Sequence, residues 1–211
     1  YIMQLVYYNE YYCIMEIVCL RILIAGDSFA AEWPGTHGWS KMLAEHHDVK
    51  NVAQAGVSEY KILKQLQNSK FDNYDIVIVS HTIHSRVHTN KHPIHKKGLH
   101  KDCDLIYSDI IDRSSLWNSS LHSAQGYFMH HYDDNYYQTI YKLLRKEIYT
   151  ILADKKYLSI SHHNIPKEFI FEDNHLSFNK IWQKNKGNEN HYNNTGNKKV
   201  LKIILDKLLK L

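Results

Sequence analysis

The sequence predicts an α/β fold, a three-layer α/β/α sandwich on a mainly parallel sheet of about five strands. Three observations carry that expectation. Strand-like and helix-like patterns alternate along the 211 residues. Residues 75–80 carry an uninterrupted apolar run, of the length a strand buried on both faces needs. The chain then closes on an amphipathic segment able to cover one face of the sheet. With 44% hydrophobic residues the chain can bury one substantial core, so residues 15–211 are read as a single domain.

Taken in order, residues 16–25 contain the first strand, ending in Ile22-Leu23-Ile24-Ala25. Residues 39–46 read as a helix with Trp39, Met42 and Leu43 on one face. Residues 49–53 form a second strand, and 59–68 a helix with Ile62, Leu63 and Leu66 inward. After the strand at 75–80, the longest helical pattern covers 132–152. A fourth strand is expected at 157–160, a fifth at 169–171, and the closing helix at 196–211. Residues 1–14 are set apart as an N-terminal extension, either non-native or an extra packed segment, with Met15 a candidate start. They lack the positive flank of a signal peptide and the length of a membrane span.

Composition narrows the function classes. A net charge of +4 from dispersed lysines, without a basic stripe, argues against nucleic acid as a partner. Cys13, Cys19 and Cys103 form neither a disulfide framework nor a metal-ligand spacing, so a reducing, cytoplasmic setting is the simpler expectation. Oligomeric state is left open.

The stretch with the most chemistry is Gly26-Asp27-Ser28 at the end of the first strand. A glycine at a strand end lets the chain turn sharply and presents the next side chains at the carboxyl edge of the sheet. There Ser28 has the geometry of a nucleophile, with backbone N–H groups available to an oxyanion. The same tripeptide is also a common turn, with Asp27 and Ser28 as caps.

Two further blocks follow in order. Asn51-Val52-Ala53-Gln54-Ala55-Gly56-Val57-Ser58 is a short strand ending in glycine, and Asn190-His191-Tyr192-Asn193-Asn194-Thr195-Gly196-Asn197 precedes the last helix. With Gly26-Asp27-Ser28-Phe29-Ala30, these blocks make residues 18–211 resemble the SGNH/GDSL hydrolase family. The resemblance implies a flavodoxin-like sheet and a serine esterase or deacylase forming an acyl-enzyme without a cofactor. Ser28 is the implied nucleophile and His191 the base. The implied oxyanion donors are Ser28 and Gly56, with Thr82 as a replacement donor. A small-molecule or glycan O-acyl ester, such as an acetylated carbohydrate, is the implied substrate.

The chain departs from the family pattern twice. Where a Gly-x-Asn-Asp block is expected, Ser80 is followed by His81-Thr82-Ile83-His84. Three residues before His191 stands Asn188 in place of aspartate, so Asn188, Glu189 or Asp173 is left to orient the imidazole. A competing last block, Glu172-Asp173-Asn174-His175, ranks second because it lacks the glycine and long helix that follow His191. These departures motivate an alternative, a non-catalytic SGNH-fold protein binding a glycan or an acyl group.

Residues 81–103 hold His81, His84, His88, His92, His95 and His100. A long insertion after a strand is commonly a lid or substrate loop. Asp27, His81, His84 and Arg86 are the expected substrate contacts, Arg86 because its planar fork suits a carboxylate or phosphate. The histidine density raises a third reading, a metal-dependent hydrolase. No spacing there matches a tight ligand pattern, so neither metal nor cofactor is assigned. His162 and His163 read as surface or cap residues.

Overall fold

The structure, a computed structural model, describes residues 2–8, 12–33, 35–114, 117–187 and 191–211, with side chains from residue 19 onward. Strands β1 (Ile2–Tyr8) and β2 (Tyr12–Val18) pair as an antiparallel hairpin, so the N-terminal extension carries regular backbone that the sequence reading left unassigned.

The main sheet contains β3 (Arg21–Gly26), β4 (Asp48–Asn51), β5 (Ile76–His81), β6 (Tyr157–Ser161) and β7 (Leu176–Ser177). All four pairings are parallel, in the order β4-β3-β5-β6-β7. Counting from β3, this is the 2-1-3-4-5 order of doubly wound sheets, whose ligands sit outside the carboxyl ends where the strand order reverses.

Side chains alternate between the two faces of each strand. Ile22, Ile24, Ile76, Ile78, Leu158 and Ile160 face one layer, packed with Trp39, Leu43, Val200 and Ile204. That layer is built from α1 (Trp39–Leu43), α6 (Asn179–Lys184) and α7 (Asn194–Leu208). Leu23, Ala25, Val77 and Val79 face the other, packed with Ile62, Leu66, Ile148 and Leu152. Its helices are α2 (Glu59–Asn68) and α5 (Asp134–Ile151). The three-layer α/β/α expectation is met.

Three element assignments change. Residues 169–171 are not a strand; Lys167–Phe169 forms a 3-10 turn, and the fifth strand is β7, paired to β6 through Ile160–Leu176 and Ser161–Ser177. Phe169 is buried, but as a wedge beside Tyr141 and Ile165, which explains why its apolar flanks imitated a strand. The helix expected over 132–152 starts at Asp134, whose preceding residue Asp133 caps it by accepting from Tyr136 N at 3.2 Å. Before it lie α3 (Tyr107–Ile110) and α4 (Ser119–His130), which the sequence reading missed. They turn the segment after β5 into a subdomain with its own small core of Val87, Ile110, Leu121, Ala124 and Phe128. An antiparallel bridge, Val87 to Leu105, closes its base. Among the described residues, no helix is long and apolar enough to cross a membrane.

Candidate active site

Gly26 ends β3 because no side chain fits there. A Cβ would stand 2.5 Å from Ser80 Cβ and 2.7 Å from Ser80 O on the neighbouring strand. The chain then turns. Asp27 Oδ1 accepts from Phe29 N at 3.1 Å, and Asp27 O accepts from Ala30 N and Ala31 N, both at 3.1 Å. Ser28 therefore sits in a tight Asx turn, not in the first turn of a helix. Three side chains fix the carbonyls of this turn: Trp33 Nε1 donates to Ser28 O, Trp39 Nε1 to Phe29 O and Asn51 Nδ2 to Ala30 O, each at 2.8 Å.

Gly56 follows β4 with φ +72°, a conformation that favours glycine. A Cβ there would meet Cys103 Cβ at 2.7 Å. Its surroundings are held by Asp104, a fully buried carboxylate. Asp104 accepts from Ser58 N at 2.7 Å and Thr89 N at 2.9 Å, and pairs with Lys61 Nζ at 2.8 Å. Arg86 donates Nη1 to Val57 O at 2.9 Å, clamping the residue after Gly56.

These turns surround one open cleft of about 370 Å³. Ser28, Gly56, Arg86, His163, His191 and Trp33 all line it, with Trp182, His95, His100 and Cys103 completing the walls. The volume falls within the range of small-molecule sites. Ser28 follows β3, Gly56 β4, Arg86 β5 and His163 β6, so these four come from carboxyl ends of the sheet. His191 enters from the segment before α7, its ring 4.4 Å from that of Trp33 and 4.9 Å from that of Phe29, measured between centroids.

Other expected site residues lie elsewhere. Asp27 is fully buried beneath the turn, with Oδ1 also accepting from Ser80 Oγ at 3.1 Å; burial raises its pKa to about 6 against the pull of Arg86. It shapes the turn and does not line the cleft, so direct substrate contact is set aside. Thr82 is fully buried too; its N–H donates to Glu59 Oε2 at 3.3 Å and its carbonyl accepts from Tyr141 OH at 2.8 Å. It is outside the cleft lining, which removes it from the oxyanion site.

His81 is also fully buried, with Nδ1 2.5 Å from Glu59 Oε1. Burial pushes Glu59 up to about 7 and His81 well down, so the two groups share a proton more than they form an ion pair. His84 pairs with Asp134 at 3.0 Å on a separate, smaller cavity. Of the four expected substrate contacts only Arg86 reaches the cleft.

Of the residues proposed to orient the imidazole, Asp173 is exposed and outside the cleft lining, while Asn188 and Glu189 lie outside the described residues. His175 of the competing block is bound on both ring nitrogens, to Ser159 Oγ at 2.8 Å and Ser161 Oγ at 3.0 Å, and does not line the cleft.

No protein-family model, curated protein or solved structure matches the chain.

The sequence reading put His162 and His163 at the surface or in caps, whereas the structure buries the first and sets the second in the cleft. His162 is fully buried, stacked on Phe29 at 4.6 Å with Nδ1 2.7 Å from Tyr192 OH. His163 lines the cleft, and burial, with Arg86 and His191 beside it, lowers its pKa to about 4. At neutral pH it is an uncharged imidazole next to a guanidinium. The available signal was position, directly after the carboxyl end of a buried strand.

Proposed function

We propose that the protein is a serine esterase or deacylase of the SGNH type, acting on an O-acyl ester. The observation that carries this reading is the convergence of Ser28, Gly56 and His191 on one cleft, from three separate blocks. Ser28 Oγ attacks the ester carbonyl carbon while its proton passes to His191. The carbonyl oxygen becomes an oxyanion, and the backbone N–H groups of Ser28 and Gly56 stabilise it. Collapse expels the alkoxide, which takes the proton from His191 and leaves an acyl-Ser28 ester. Water then repeats the sequence and frees the acid.

Arg86 takes the place assigned to the missing block III asparagine, supplying positive charge at the cleft after β5. Trp33 and Phe29 hold the His191 ring by packing, which lessens its dependence on an aspartate for orientation. Trp33 and Trp182 give the cleft flat apolar faces suited to a sugar ring, which supports an acylated carbohydrate as the substrate class.

The test is hydrolysis of p-nitrophenyl acetate and butyrate by the wild type, Ser28→Ala and His191→Ala, with a fluorophosphonate label read by mass spectrometry. Labelling at Ser28, with turnover lost in both variants, is the expected result. Turnover surviving in Ser28→Ala overturns the assignment. A wild type that neither labels nor turns over points to the non-catalytic binding protein.

A further inference from the structure

One wall of the cleft holds a cluster that the esterase chemistry does not use. His92, His95 and Cys103 each offer a ligand atom, and the three atoms lie within 4.8 Å of one another. His92 is only 2% exposed, and its Nε2 is buried without a hydrogen-bond partner. Such a ring nitrogen needs an explanation, because a buried polar atom left unpaired is costly.

We propose that His92, His95 and Cys103 bind one zinc ion at the wall of the Ser28 cleft. Two imidazoles and a thiolate form a donor set for zinc, softer than the oxygen-rich sets that magnesium or calcium prefers. Asp109 Oδ2 lies 3.4 Å from His95 Nε2, the carboxylate partner that a metal-bound histidine commonly has on its other nitrogen. Bonds to zinc of roughly 2.0–2.3 Å require ligand atoms about 3.5 Å apart, so the widest pair closes by at most about 1.3 Å on binding. They belong to the segment between β5 and α3, outside any strand or α-helix.

Protons set the conditions. His92 Nδ1 accepts from Ile94 N at 3.2 Å and His95 N at 3.1 Å, so without metal the ring proton is on Nε2. Coordination through Nε2 transfers that proton to Nδ1 and releases both backbone contacts, re-forming the 92–95 turn. The Cys103 thiol loses its proton to solvent as the Zn–S bond forms. The metal displaces that proton, so binding strengthens with pH. Binding therefore releases one proton per ion.

The consequence reaches Gly56, whose backbone packs against Cys103. Zinc ties the loop to that residue and stiffens the wall beside Gly56. The site does not depend on the esterase reading, and its test does not use activity.

The 211-residue chain, stripped with a chelator, is titrated with zinc chloride by calorimetry in two buffers of different ionisation enthalpy. Cobalt(II) is then added to a second stripped sample. The expected results are one ion per chain, about one proton released, and a thiolate-to-cobalt charge-transfer band. Cys103→Ser loses the band and weakens zinc binding at least tenfold, and His92→Gln weakens it similarly. Should Cys103→Ser fail to fold, Cys103→Ala and His95→Gln serve as replacements. Zinc binding unchanged in these variants, or absent in the wild type, overturns the proposal and leaves any residual affinity to surface histidines.

Discussion

Trp33 donates its indole N–H to the carbonyl of Ser28 at 2.8 Å, while its ring stands 4.4 Å from His191. One side chain thus touches both the turn that presents the serine and the imidazole across the cleft. Trp33→Phe keeps the packing and removes the hydrogen bond, which is worth about 1 kcal/mol. Ester turnover is expected to fall roughly tenfold, with KM little changed and a melting-temperature shift of only a few degrees. Equal turnover in Trp33→Phe, measured beside its melting curve, would show that the bond does not position Ser28.

Gly56 combines a φ of +72° with a Cβ position already filled by Cys103. Gly56→Ala meets both obstacles, the backbone strain and the collision, at a combined cost of about 2–4 kcal/mol. Thermal unfolding should register a drop of several degrees. Pairing it with Cys103→Gly makes space without changing φ, so the double variant recovers the collision part only. Full recovery would show that strain contributes nothing.

Asp104 holds two backbone amides and the Lys61 ammonium from a fully buried position. Asp104→Ala leaves both N–H groups without their partner and Lys61 with only the carbonyls of Thr89 and Asp102, an expected loss of roughly 3–5 kcal/mol. Urea unfolding measures the loss. Limited proteolysis should then cut within residues 83–103 sooner than in the wild type. Unchanged proteolysis would mean that Asp104 does not organise the insertion.

Acid should destabilise the fold before the carboxylates titrate normally. Burial lowers the pKa of His47, His81, His92, His162, His163 and His175. Between about pH 4 and 6.5 the unfolded chain binds protons on these groups that the folded chain does not, so stability rises with pH there. Asp27 and Glu59 act oppositely, since their raised values mean the folded state holds those protons longer. The histidines outnumber the two acids, so the melting temperature should fall from about pH 7 to pH 5. His162→Phe keeps the stack on Phe29 and removes one such group, reducing the slope by up to about 1.4 kcal/mol per pH unit. A melting temperature that rises on acidification would reverse this account.

Much of the fold was legible because buried parallel strands are chemically conspicuous. Ile22–Ala25 and Ile76–Val79 are apolar on both faces, as both helical layers require, and Leu23, Ala25, Val77 and Val79 turn out to face the α2–α5 side. The missed elements lack such patterning. In α4, Ser, His, Gln and Gly interrupt the apolar positions, and its inward residues meet a small local core that no periodicity announces. Strand β7 is two residues long and exists only because β6 lies beside it.

The candidate site divides along the same line. Ser28 was readable because it stands in a local block whose turn chemistry is written in neighbouring residues, whereas Gly56 and His191 were singled out by the resemblance of their blocks to a family pattern. Whether a polar side chain then faces the cleft or the interior depends on strand register and on partners far away in sequence. Thr82 and His81 turn inward because Glu59, 23 and 22 residues distant, receives them. His163 and Arg86 reach the cleft because β5 and β6 lie side by side. The sequence by itself determined the layered architecture and the turn that carries Ser28, since both follow from local pattern and backbone sterics. Tertiary structure alone decided which histidines line the cleft, which are buried, and which two meet beside Cys103, because burial and proximity are properties of packed neighbours.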